Sequence, residues 1–98
     1  MVITKTRNGD ELTVALEGRL DTTTAPELDD MLKEELGDVK KLSFDFAKLE
    51  YISSAGLRVL LISQKAMNKQ GSMVIKNVNE EINEIFEVTG FTDILTIE

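Results

Sequence analysis

Two adjacent serines, Ser53 and Ser54, are the residues of this chain whose type and setting could do chemistry. They sit in Tyr51-Ile52-Ser53-Ser54-Ala55-Gly56-Leu57-Arg58-Val59-Leu60-Leu61, a polar step that feeds an apolar helical run. A serine at such a place has three uses. As an N-cap its oxygen accepts a bond from one of the free amides that open a helix. As a nucleophile it needs a base beside it. As a phosphoacceptor it gains about −1.5 to −2 charges where free N–H groups and the helix dipole favour an anion. The chain has no His and no Cys, which removes the commonest general base, the Ser-His pair and the usual zinc ligands together. Lys65 and Lys69 share the helix but are expected to point to solvent. Asp21 and Asp45 could form a carboxylate pair, yet nothing in so short a chain suggests a pocket of substrate size. Gly9, Gly18 and Gly56 are isolated, so they make no phosphate-cradling loop. No enzyme, cofactor or metal site is therefore expected. Capping and phosphoacceptance remain open for both serines.

The helix that follows is placed by advancing roughly 100° per residue from Leu57. Ala55, Gly56, Val59, Leu60, Ile62, Ser63, Ala66 and Met67 gather in one broad sector, which is expected to face the core. Arg58, Gln64, Lys65 and Asn68 occupy the other, and Leu57 and Leu61 fall among them. That spacing predicts an exposed apolar pair next to the serines, of the kind partner proteins recognise, unless a neighbouring element covers it.

The elements that must hold this corner follow in chain order. Val2 to Arg7 reads as a strand, Asn8-Gly9 as a hairpin signal, and Leu12, Val14 and Leu16 as the buried face of a second strand. Gly18-Arg19-Leu20-Asp21 leaves that strand. Thr24, with Glu27 three residues on and Pro26 in the first turn, predicts a capping box and a helix carrying Leu28, Met31, Leu32 and Leu36 inward. Gly37 is expected to end that helix in a left-handed turn. Lys41 to Phe46 alternates as a strand parallel to its predecessor. The serine helix runs to Gln70, and Gly71 stops it. Met73-Val74-Ile75 suits a strand covered on both faces. Asn79 caps a third helix with Ile82, Ile85 and Phe86 inward, and the tail from Phe91 forms either a helical turn or an edge strand. Such alternation predicts an α/β fold, a mixed sheet of about four to five strands with helices packed against it, in one domain over residues 1–98.

Composition narrows the partners. Hydrophobic residues make up 42% of the 98, enough for a core. The formal net charge of −7 argues against nucleic acid and against an anionic membrane surface, and for a protein partner with a basic docking surface. No apolar run approaches a signal peptide or a membrane span, so a cytoplasmic protein is expected.

Gly18-x-x-Asp21, Thr24-Ala25-Pro26-Glu27-Leu28, Leu42-x-Phe44-Asp45-Phe46, Tyr51-Ile52-Ser53-Ser54-Ala55-Gly56-Leu57 and Thr89-Gly90-Phe91 occur in this order. In them the chain resembles, over essentially its whole length, the STAS domain and specifically the stand-alone bacterial anti-sigma factor antagonists. The resemblance implies a protein that binds an anti-sigma factor with serine kinase activity when unphosphorylated. Phosphorylation by that kinase switches it off, and a PP2C-type phosphatase resets it. Aligned on Gly56-Leu57, the family's phosphorylated serine falls on Ser54, with Ser53 the second choice. The Asp that precedes it in the family falls on Ser53. The docking surface so implied comprises Asp21, Thr22, Ser53, Ala55, Gly56, Leu57, Arg58 and Leu61. The other reading is a constitutive interaction subunit of a signalling or transport complex, in which Ser54 is only a cap.

Overall fold

The computed structural model describes all 98 residues. Four strands, β1 (Val2–Asn8), β2 (Glu11–Leu20), β3 (Lys41–Ile52) and β4 (Ser72–Lys76), form one sheet in the order β1-β2-β3-β4. Helices α1 (Ala25–Glu35), α2 (Ser54–Gln70) and α3 (Glu80–Thr89) make the connections and the final cover. The first pair is antiparallel; β2–β3 and β3–β4 are parallel, as expected where a helix carries the chain back to the starting edge. Leu12, Val14 and Leu16 point to the core, and Thr13 and Ala15 alternate with them outward on the opposite face. Twenty-two buried residues, from β2, β3, β4 and the three helices together with Val39 and Leu95, form one cluster against which Ile3 of β1 packs, with Phe44, Phe46 and Phe86 its largest members.

Several boundaries differ from those the sequence suggests. The hairpin turns on Gly9 and Asp10, with Gly9 at φ 65°, one residue beyond the expected Asn8-Gly9 step. Strand β2 continues through Gly18 and Arg19 to Leu20 instead of ending at Gly18. Strand β3 runs past Phe46 to Ile52, because two bulges give it extra residues against β2, one between the pairs Ala15–Asp45 and Glu17–Lys48 and one between Gly18–Leu49 and Arg19–Tyr51. Simple alternation therefore stops at Phe46, while Leu49 and Ile52, at spacings of three, still reach the core. Gly37 has no left-handed backbone; α1 tightens into a 3-10 turn over Leu36–Asp38 and closes with ordinary dihedrals. The glycine that ends a helix with a left-handed backbone is Gly90, which caps α3 with its N–H shared between the carbonyls of Glu87 and Phe86.

Other expectations hold. Asn79 caps α3 by accepting from the Ile82 amide, and its own amide donates to the Leu49 carbonyl at 3.0 Å, which ties the helix to β3. Met73, Val74 and Ile75 are all buried. The tail takes the helical alternative, a 3-10 turn over Phe91–Asp93, and forms no edge strand, only a single parallel bridge of Ile97 beside Ile75. No helix is long and apolar enough to cross a membrane.

Candidate functional site

Because β2 and β3 are parallel neighbours, their C-terminal ends lie side by side. The Ser53 N–H donates to the Leu20 carbonyl at 2.9 Å, so the step into α2 and the Asp21 loop form one corner. Gly56 sets how closely α2 approaches it. A Cβ at Gly56 would stand 2.7 Å from Leu20 Cγ and 2.8 Å from Ile52 Cγ1, so the helix rests on those side chains through a residue that has none. Leu60, Ser63 and Met67 continue that line along α2, and all are buried.

This contact fixes the rotation of α2, which differs from the one expected by advancing roughly 100° per residue from Leu57. Leu57 is 7% exposed and belongs to the core cluster, and Gln64, expected in solvent, is buried with its amide donating to Asn68 Oδ1. Ile62, expected inside, is 47% exposed. The buried sector lies about 60° round from the one inferred by counting apolar residues. Leu61 remains half-buried outside the cluster. The exposed Leu57–Leu61 pair therefore does not exist; the apolar surface beside the serines is Leu61 with Ile62.

The two serines are unlike each other. Ser53 occupies the N-cap position with extended dihedrals, but its hydroxyl makes no capping bond and its oxygen is buried without a partner. Ser54 is the first residue of α2 and is exposed. The first intrahelical bond runs from the Leu57 N–H to the Ser53 carbonyl, which leaves the amides of Ser54, Ala55 and Gly56 outside the helical ladder.

The Asp21 loop is built by its own side chains. Asp21 Oδ1 accepts from the Thr23 hydroxyl at 2.7 Å, the Thr23 N–H at 3.0 Å and the Thr24 N–H at 3.2 Å. The Thr24 hydroxyl accepts from the Asp21 N–H and donates to the Arg19 carbonyl. Thr24 thus closes the loop behind it and makes no side-chain cap, so the expected capping box with Glu27 is not formed. The Thr23 hydroxyl outweighs the opposing cost of burial, and the Thr23 and Thr24 amides and the Thr24 hydroxyl add to it, so the Asp21 carboxyl is held below its ordinary 3.8. The sign follows. A carboxyl lowered on folding contributes stability that is complete above the unfolded value, about 3.9, and is lost as pH falls through the folded value. Asp21→Asn should therefore melt below the wild type at pH 7, with the gap closing below about pH 4; a gap unchanged across that window would mean that the charge contributes nothing.

Two residues join the corner that pattern reading did not assign to it. Arg19 lies opposite Tyr51 across β2 and β3, with its guanidinium carbon 4.3 Å from the ring centroid and Nε 3.9 Å from Asp21 Oδ2. Their pairing depends on the second bulge, so only the register would have revealed it. Thr22 from the Asp21 loop, Ala25 and Pro26 from the start of α1, and Ala55, Arg58 and Ile62 from α2 are among the residues lining an open groove that reaches Ala55, the residue after Ser54. Of the expected docking residues, Thr22 and Arg58 are exposed, Asp21, Ser53, Ala55 and Leu61 are partly so, and Gly56 and Leu57 lie beneath; the expected phosphoacceptor Ser54 is exposed. The corner presents hydroxyls, the Arg19–Tyr51 cation–π pair and apolar side chains, and neither serine hydroxyl is hydrogen-bonded to a basic side chain.

Comparison with known proteins agrees with this architecture. A Bordetella bronchiseptica protein provisionally named as the anti-sigma factor antagonist BtrV is 32% identical over 88 residues, covering 88% of this chain and 76% of its own. The anti-sigma-B factor antagonist of Listeria monocytogenes is 30% identical over 98 residues, covering 96% and 84%. These names describe antagonists of another protein factor, regulatory binding proteins and not enzymes. The Bacillus cell fate determinant SpoIIAA in its phosphorylated form superposes with a TM-score of 0.78 over 99% of this chain and 91% of its own, at 15% identity, and so shares the fold. The STAS domain model matches residues 2–98, and with relatives named as anti-sigma factor antagonists at 30% identity or more over most of both chains, the chain belongs to the STAS domain family.

Proposed function

We propose that the protein is an anti-sigma factor antagonist: unphosphorylated, it binds a cognate anti-sigma factor that is also a serine kinase, and phosphate on Ser54 releases it. The observation that carries this reading is the contrast between the serines. Ser54 is exposed on the first turn of α2 with unladdered amides around it, whereas the Ser53 oxygen is buried. A kinase reaches the first and not the second. The groove of Thr22, Ala55, Arg58 and Ile62, together with the half-buried Leu61 of the same helix, supplies a docking surface that phosphate would cover with negative charge. Leu57 and Gly56 serve it from below by seating the helix. Because α2 rests on Leu20 and Ile52 through Gly56, phosphate changes what a partner meets without requiring the fold to change. A PP2C-type phosphatase would restore the binding form, and release of a sigma factor would be the consequence for transcription.

The test is phosphorylation with the cognate kinase and ATP followed by peptide mapping, with titration calorimetry of Ser54→Asp against the same kinase. One phosphate on Ser54 and an affinity at least ten-fold weaker for Ser54→Asp are expected. Phosphate found on Ser53 alone, or an Asp variant that binds as the wild type does, would refute the assignment.

A further inference from the structure

The charge of this chain is distributed unevenly. All eleven Lys and Arg lie before residue 77, and the stretch from Asn77 to Glu98 carries Glu80, Glu81, Glu84, Glu87, Asp93 and Glu98 with no basic residue. Most of the net −7 therefore belongs to α3 and the tail. None of the five ion pairs of the fold involves α2 or α3. Glu80 and Glu84 repel at i,i+4, Glu81 and Glu84 at i,i+3, and Glu87 sits in the last turn, where the dipole disfavours it. Helix α2 is the opposite case. It carries Arg58, Lys65 and Lys69 and no carboxylate.

The two outer faces match residue for residue. On α2, Ile62, Lys65 and Lys69 lie at i, i+3 and i+7, and all are exposed. On α3, Val88, Glu84 and Glu81 lie at i, i−4 and i−7, also exposed, with Val88 at 86%. Laid antiparallel with Ile62 on Val88, the first helix brings Lys65 to Glu84 and Lys69 to Glu81. Both spans cover seven residues, about 10.5 Å of helix rise. A single chain leaves both stripes facing solvent, so the contact requires another molecule.

We infer that the α3 stripe is a docking surface for the α2 stripe of a second copy of this chain, Ile62 meeting Val88 and the two lysines meeting Glu84 and Glu81. Made reciprocally, the contact occurs twice in one closed pair. It goes beyond the function proposed above, since it needs neither kinase nor phosphate, and its key charges lie outside the Ser54 groove. Two helical stripes bury much less than a standard interface, so a dissociation constant of about 0.1–1 mM is expected at low salt.

Sedimentation equilibrium of the whole chain tests this. At low salt and a protein concentration of about 1 mM, the average mass should rise above 10.9 kDa and return to it as salt approaches 1 M, where the screening length falls to about 3 Å. Lys65→Glu and Glu84→Lys should each sediment as monomers. Equal parts of the two variants, or both changes in one chain, should associate again, because each lysine then meets a glutamate. Glu84→Lys should also melt no lower than the wild type, as it removes the repulsion with Glu80, so loss of association will not reflect loss of fold. Val88→Ser should weaken association about ten-fold. A monomer at every concentration, association indifferent to salt, or failure of the charge swap to restore it would overturn the inference.

Discussion

Leu57→Ala is expected to destabilise the protein by about 2–5 kcal/mol, whereas Leu61→Ala, one turn on, should cost less than about 1 kcal/mol. Leu57 is 7% exposed and packed in the main cluster under the first turns of α2, so its removal loses both the transfer energy of the side chain and the contacts of a cavity that the strands cannot fill. Leu61 is half-buried and outside that cluster; its truncation leaves space already open to solvent. Urea unfolding of the two variants reads the difference directly, at constant slope and shifted midpoint. Equal losses would return Leu57 to the surface. A consequence at the site follows, because Leu57 seats the turn that presents Ser54: Leu57→Ala should weaken binding of the proposed kinase through disorder of that turn, while Leu61→Ala should weaken it at constant stability.

The reason the sequence misplaced Leu57 is physical. Apolar residues on α2 spread around more of the helix than the core can accept, from Leu61 through Val59, so their average direction does not identify the buried face. What identifies it is Gly56, the point of closest approach to Leu20 and Ile52, and that contact is a property of how two strand ends meet. The same holds for Arg19 and Tyr51, which meet only because β3 carries two bulges. Local signals were legible where their partners are local, as with Asn79 over Ile82 and the alternation of Leu12, Val14 and Leu16. Thr24 is the intermediate case. Its position at the start of α1 could be read, but its hydroxyl is occupied by Arg19 and Asp21, so the capping partner three residues on was never engaged. The serine corner is proposed from residue type and resemblance, which ranks Ser54 ahead of Ser53; what the fold adds is that the Ser53 oxygen is buried and Ser54 is exposed.

Gly71→Ala should be the most damaging single methyl in the chain. Gly71 ends α2, with its N–H donating to the Met67 carbonyl at 2.7 Å, and a Cβ there would lie 1.8 Å from the Lys40 carbonyl oxygen and 2.6 Å from its carbon. These are backbone atoms at the entrance to β3. That carbonyl also accepts from the Ser72 N–H, which begins β4, and the neighbouring Gln70 amide donates to the carbonyls of Leu36 and Val39. No rotamer can relieve the clash; either the α2–β4 turn or the start of β3 must move, and the Ser72 bond is lost or stretched with it. Overpacking against side chains costs about 1–3 kcal/mol, and an immovable backbone puts this case at the top of that range or beyond. For a domain of this size that is a fall in the melting midpoint of roughly 10–25 °C. Gly37→Ala is the internal contrast, since nothing lies within 4 Å of a Cβ at Gly37 and its φ is not positive; it should be neutral or raise stability by about 0.4–1 kcal/mol through the unfolded chain. Should Gly71→Ala melt within a few degrees of the wild type, the close approach of Lys40 to the end of α2 would be incorrect. The packing that holds the far end of the serine helix against β3 would then need another explanation.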